Sequence, residues 1–72
     1  MFLEVILRQL TYYLAKLRHE RKLTTKELAR LSGVSFRTIE QIEAKRANPA
    51  ISTLCKLADA LDVPLTDLFS YE

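Results

Sequence analysis

Only three residues of this 72-residue chain are strong turn signals: Gly33, Pro49 and Pro64, its single glycine and two prolines. A β-sandwich or barrel needs far more chain reversals than these supply, so the sequence points to a few helices joined by short turns. Apolar residues make up 49% and charged residues 28%, which suits neither a disordered tail nor a membrane protein. The length allows one domain, residues 1–72, burying only about 60% of its unfolded surface. Cys55 is the only cysteine and His19 the only histidine. That excludes an internal disulfide and a zinc site. Stability must then come from tight helical packing, a partner subunit, or both.

Periodicity divides the chain into five helical segments. Leu3, Leu7, Leu10, Leu14 and Leu17 alternate spacings of four and three, predicting a long first helix from about Phe2 to Lys22. Thr24-Thr25-Lys26-Glu27 has the form of a capping box and opens a second helix. That helix turns Leu28, Ala29 and Leu31 inward and stops at Gly33, where a left-handed residue lets the chain reverse. Ser35 is the N-cap of a third helix, about Phe36 to Ala44, seated by Ile39 and Ile42. Asn48-Pro49 marks a loop. A fourth helix, about Ile51 to Leu61, places Ile51, Leu54, Ala58 and Leu61 on one side. Asp62-Val63-Pro64 breaks it, and Leu65 to Phe69 forms a short terminal helical turn. No strand pattern is visible, so the expected fold is all-α.

The formal net charge is +2, but it is unevenly spread. Residues 16–46 carry nine Lys and Arg against four Glu, a net +5, while residues 47–72 carry one Lys against four acids, a net −3. Cations concentrated in the middle third suit a surface facing an anionic partner.

That middle third also holds two short helices joined at Gly33. Small Ala29 lets their axes approach, and Ile39 and Ile42 seat the second on the core. This is the arrangement of a helix-turn-helix. The chain resembles the phage-repressor/Cro-type (Xre-like, lambda-repressor-like) helix-turn-helix family. The resemblance runs from about Leu14 to Phe69. It rests on Leu17-Arg18, Leu23-Thr24, Glu27-Leu28-Ala29, Gly33-Val34-Ser35 and Thr38-Ile39-Glu40-Gln41-Ile42-Glu43. It continues through Asn48-Pro49, Leu57-Ala58-Asp59-Ala60-Leu61, Val63-Pro64-Leu65 and Asp67-Leu68-Phe69.

The resemblance implies a compact five-helix domain that binds double-stranded DNA, with the third helix in the major groove. It places Phe36, Arg37 and Gln41 on the reading face. Arg can pair bidentately with guanine, Gln with adenine, and Phe can touch a thymine methyl. Phe36 has a second reading, as a lid on the core. Glu40 shares that face and either accepts from cytosine or repels wrong registers. Thr25, Lys26, Thr38, Lys45, Arg46 and Asn48 are expected phosphate contacts, with a second reading for Lys26 and Lys45 as solubilising surface charge. Arg18 and Glu43 are expected to form an ion pair that orients the third helix. Three residues depart from the family pattern: Lys22 where Gly is common, Ala44 where a polar phosphate contact is frequent, and Ala50 where Ser or Thr caps the fourth helix.

The N-terminal thirteen residues extend beyond the usual start of such domains, and their apolar seam has two readings. Either Leu3, Ile6, Leu7 and Leu10 join two copies as a homodimer, or the segment folds onto its own core. Met1 to Leu7 lacks a basic region and meets Arg8 too soon to act as a targeting or membrane segment, so a cytoplasmic protein is expected. Cys55 reads as a buried, inert thiol and His19 as a surface residue. No nucleophile–base pair, paired carboxylates, metal cluster, cofactor motif or small-molecule site is evident, so an enzyme is not expected.

The function that follows is a sequence-specific DNA-binding transcriptional regulator, a dimeric repressor on an inverted repeat. The rival is a protein-interaction module, antitoxin-like or an adaptor, that keeps the fold with little DNA reading of its own. Acidic Glu40, apolar Ala44 and the apolar N-terminus favour the rival. The +5 middle segment counts against it.

Overall fold

The computed structural model describes residues 10–71. A short strand, β1 (Leu10–Tyr12), leads into four helices: α1 (Leu14–Glu20), α2 (Thr25–Ser32), α3 (Phe36–Glu43) and α4 (Ile51–Leu61). A 3-10 turn (Leu65–Asp67) and a second strand, β2 (Phe69–Tyr71), follow. The fold is therefore mostly helical, with four helices rather than five and a small sheet.

The sheet overturns the expected long first helix at Leu10–Tyr12; Leu3, Ile6 and Leu7 lie outside the described residues. β1 pairs antiparallel with β2 in the register Leu10↔Tyr71, Thr11↔Ser70, Tyr12↔Phe69. Tyr13 N–H continues the ladder to the Leu68 carbonyl at 2.8 Å, and the Tyr13 and Ser70 hydroxyls meet at 2.8 Å. That register sets Tyr12 opposite Phe69 and Leu10 opposite Tyr71, cross-strand partners of the kind that stabilise a short ladder. Leucine spacing gave a helical period there, but the decisive partner lies at the other end of the chain. β2 also draws Phe69 out of the expected terminal helix, leaving only a single 3-10 turn after Pro64.

One buried cluster holds the helices: Leu14, Leu28, Val34, Ile39, Ile42, Leu54, Leu57, Ala58, Leu61 and Leu68. Leu31 stays outside it, 58% exposed. On α2 the half-buried Thr25, Ala29 and Ser32 lie with buried Leu28 in one arc, and at about 100° per residue Leu31 falls off its edge. Ile51, in the first turn of α4, is 60% exposed, so the inward stripe of that helix begins at Leu54.

Helix ends are settled largely by local chemistry. Thr24 and Glu27 form the reciprocal capping box on α2, and Ser35 Oγ accepts from Thr38 N–H at the start of α3. Ala50 caps α4 with no side-chain hydrogen bond. A left-handed residue follows each helix: Lys22 (φ 56°), Gly33 (78°), Lys45 (61°) and Asp62 (57°). After α1, α3 and α4 the bonds are those of a Schellman motif. Leu23 N–H reaches the Arg18 carbonyl at 3.2 Å, Arg46 the Gln41 carbonyl at 2.9 Å and Val63 the Ala58 carbonyl at 3.1 Å. Left-handed backbone costs a residue with a β-carbon about 1–2 kcal/mol. Three of the four positions carry that cost, and only α2 ends on glycine.

Candidate nucleic-acid interface

The site is built on α3. Ile39 and Ile42 are buried, which fixes the rotation of the helix about its axis. At about 100° per residue, Phe36, Glu40, Arg37 and Gln41 then share an outward arc of roughly 140°. All four are exposed. The short α2–α3 connection and its left-handed Gly33 set α2 against α3, with Leu28 and Ile39 both fully buried between them and α4.

Rotation along the axis is held from the far side by Arg18. Its Nε donates to Glu43 Oε2 at 2.8 Å and its Nη2 to Oε1 at 2.9 Å, while Nη1 donates to the Leu23 carbonyl at 2.8 Å. One guanidinium thus ties α1, the turn before α2 and the last residue of α3. The Glu43 hydrogen bond raises the Arg18 pKa above the ordinary guanidinium value, against the desolvation that opposes it.

Thr25, Arg37, Glu40, Gln41, Glu43, Ala44 and Arg46 line one open concavity of about 630 Å³. Residues expected to read bases and residues expected to touch phosphate therefore share a single surface. Phe36 and Lys26 stand outside that lining and meet each other, the Lys26 ammonium lying 5.7 Å from the ring centroid. Phe36 is 37% exposed at the start of α3 and is absent from the buried cluster. Thr38 is half-buried; its Oγ1 accepts from Ser35 Oγ at 2.8 Å, which leaves its own proton to donate. Lys45, Arg46 and Asn48 are exposed in the turn and loop that follow α3.

Arginine and glutamine on an exposed helix face can form paired hydrogen bonds with base edges in a major groove. The surrounding cations, the half-buried Thr25 and Thr38 hydroxyls and the exposed Asn48 amide can hold phosphates. Among the described residues, no group of three or more His, Cys, Asp or Glu could hold a metal ion. None of the described helices is long and apolar enough to cross a membrane.

A family model described as helix-turn-helix, HTH_3, matches residues 14–68. The HTH-type transcriptional repressor RghR of Bacillus subtilis is 50% identical over 56 residues, which is 76% of this chain and 42% of RghR. The HTH-type transcriptional regulator SutR of Escherichia coli is 35% identical over 68 residues, 94% of this chain and 38% of SutR. The chain thus spans about two-fifths of the length of these curated relatives. Among solved structures, the restriction-modification controller protein C.AhdI of Aeromonas hydrophila superposes with a TM-score of 0.75 at 34% identity, covering 78% of this chain and 85% of that one. An HTH_3 family transcriptional regulator from Vibrio cholerae gives 0.73 at 37% identity, covering 75% and 30%. With its motif carried on α2 and α3 and the match running from α1 to Leu68, this chain belongs to the Xre/Cro-like helix-turn-helix family.

Proposed function

We propose that the protein is a sequence-specific double-stranded DNA-binding transcriptional regulator that acts as a dimeric repressor on an inverted repeat. The observation that carries this reading is the outward arc of α3. It presents Arg37 and Gln41 on the same concavity as Thr25 and Arg46, with the helix held in place by Arg18. Arg37 and Gln41 read base edges in the major groove, and Phe36 offers its ring to a thymine methyl. Glu40 accepts from cytosine or disfavours wrong registers. Thr25, Lys26, Thr38, Lys45, Arg46 and Asn48 grip phosphates, which makes affinity fall with salt.

Two copies reading an inverted repeat place their recognition helices about 34 Å apart, one turn of the duplex. Dimerisation is supported by exposed apolar side chains, Leu10 at 44% and Ile51 at 60%. Enrichment of random duplex DNA at roughly physiological salt, where non-specific binding is weak, tests the whole reading. Recovery of an inverted repeat is expected, and an Arg37→Ala/Gln41→Ala variant should stay folded and recover none. If nothing is enriched by folded wild-type protein, the adaptor reading replaces this one.

A further inference from the structure

Lys22 and Lys45 occupy left-handed backbone, at φ 56° and 61°, where glycine is the more stable choice. Asn and Asp are the side-chain-bearing residues that tolerate this region best, so Asp62 at the end of α4 is an ordinary occupant. Lysine is not. Both lysines are exposed, and both stand beside the same clamp. Lys22 immediately precedes Leu23, whose carbonyl accepts from Arg18 at 2.8 Å; Lys45 follows Glu43, the partner of Arg18, by two residues. Thr25, three residues after Lys22, and Arg46, one after Lys45, line the same concavity. Lysine therefore fills the strained turns next in sequence to Leu23 and Glu43, the two partners of Arg18, and Asp62 fills the one after α4.

We propose that Lys22 joins Lys45 in gripping the phosphate backbone of duplex DNA, the two acting from the turns that follow α1 and α3. Lys22 thereby becomes a DNA-contacting residue outside α3 and its following loop. The grip rests on the DNA reading above. An ammonium on a four-carbon stem reaches a phosphate as a point charge and carries no base preference, so the site supplies affinity and not sequence discrimination. Glycine at position 22 would relieve the backbone but lose the charge, an exchange of stability for binding.

Binding to a synthetic duplex of arbitrary sequence, titrated against salt, tests this for the wild type, Lys22→Gln, Lys22→Gly and Lys56→Gln. The last variant removes the same charge from α4, away from the concavity. Both Lys22 variants should lower the slope of log affinity against log salt by about 0.9, the value of one phosphate contact. Lys56→Gln should leave the slope unchanged. Lys22→Gly alone should also raise the melting temperature by roughly 2–8 °C, as relief of left-handed strain outweighs glycine's extra chain entropy in a domain this small. If Lys22→Gln keeps the wild-type slope while the wild type binds, Lys22 only complements the carbonyl end of α1 and the grip is wrong. A wild type that binds no duplex overturns the DNA reading and the grip together.

Discussion

Arg18 holds Glu43 across 25 residues of sequence through two parallel hydrogen bonds of 2.8 and 2.9 Å, Nε to Oε2 and Nη2 to Oε1. The paired side chains are only 11% and 14% exposed, so the bonds are shielded from the water that weakens surface ion pairs. Arg18→Ala removes both, and with them the bond to the Leu23 carbonyl, leaving the Glu43 carboxylate without a cation. A loss of about 2 kcal/mol is expected, on the scale of charge-assisted hydrogen bonds. Arg18→Lys should recover only part of it, because an ammonium cannot span both carboxylate oxygens. Urea denaturation of the three proteins checks the order. An Arg18→Ala variant as stable as wild type would show that the pair does not anchor α3.

The capping box gives a pH dependence whose sign follows from one carboxylate. Glu27 accepts from the Thr24 backbone N–H at 2.8 Å, and Glu27 N–H donates to Thr24 Oγ1 at 3.0 Å. The Thr24 backbone bond first, and its side-chain bond second, hold the Glu27 pKa below the ordinary value. A lowered folded-state pKa means that the stabilisation is complete above the ordinary Glu range and is lost as the pH falls through and below it. Glu27→Gln should therefore lose less stability than wild type between neutral and acid pH. Thr24→Ala should cost about 1 kcal/mol at neutral pH through loss of the cap. Thermal melts across that pH range measure both, and parallel curves for wild type and Glu27→Gln would contradict the assignment.

Gly33 and Asp62 share a backbone conformation, and opposite substitutions there should have opposite effects. A β-carbon added at Gly33 would meet nothing within 4 Å, so no steric clash with neighbours opposes it. Its φ of 78° alone makes Gly33→Ala destabilising by about 1 kcal/mol. Asp62, at φ 57° in a Schellman turn, should gain roughly 0.5–1 kcal/mol as Asp62→Gly. Differential scanning calorimetry resolves shifts of this size, and a Gly33→Ala protein as stable as wild type would refute the backbone argument.

What the sequence reveals here is what is encoded within a few residues. The Thr24–Glu27 box, the Ser35 cap, the Gly33 reversal and the Ile39–Ile42 stripe are all local patterns, and each helix they define lies within a residue or two of its expected bounds. The β1–β2 pairing is illegible because its partners are separated by nearly the whole chain, and the leucine series that passes through Leu10 has a helical period. Leu31 is apolar but falls just off the buried arc of α2, and Ile51 is apolar but sits in the first turn of α4 ahead of the inward stripe, so hydrophobicity alone does not reveal that either is exposed. At the interface, residue types pointed to α3 and its chemistry. The left-handed backbone at Lys22 and Lys45 is visible in sequence only as a lysine where a glycine would be easier.

The proposed dimer makes the last prediction. Leu10, Tyr12, Pro49, Ile51, Leu54 and Phe69 line a shallow groove between the sheet and the start of α4, and no charged side chain belongs to it. Leu10 and Ile51 are the members of that lining exposed enough to meet another surface, so charging them should not disturb the buried cluster. Leu10→Lys/Ile51→Lys is therefore expected to melt like wild type but to sediment as a monomer. Because two linked recognition helices bind far more tightly than one, the same variant should lose affinity for an inverted repeat while keeping that for a single half-site. Analytical ultracentrifugation and half-site binding separate the possibilities. A variant that remains dimeric places the interface elsewhere, and a monomeric wild type with full inverted-repeat affinity removes dimerisation in solution from the mechanism.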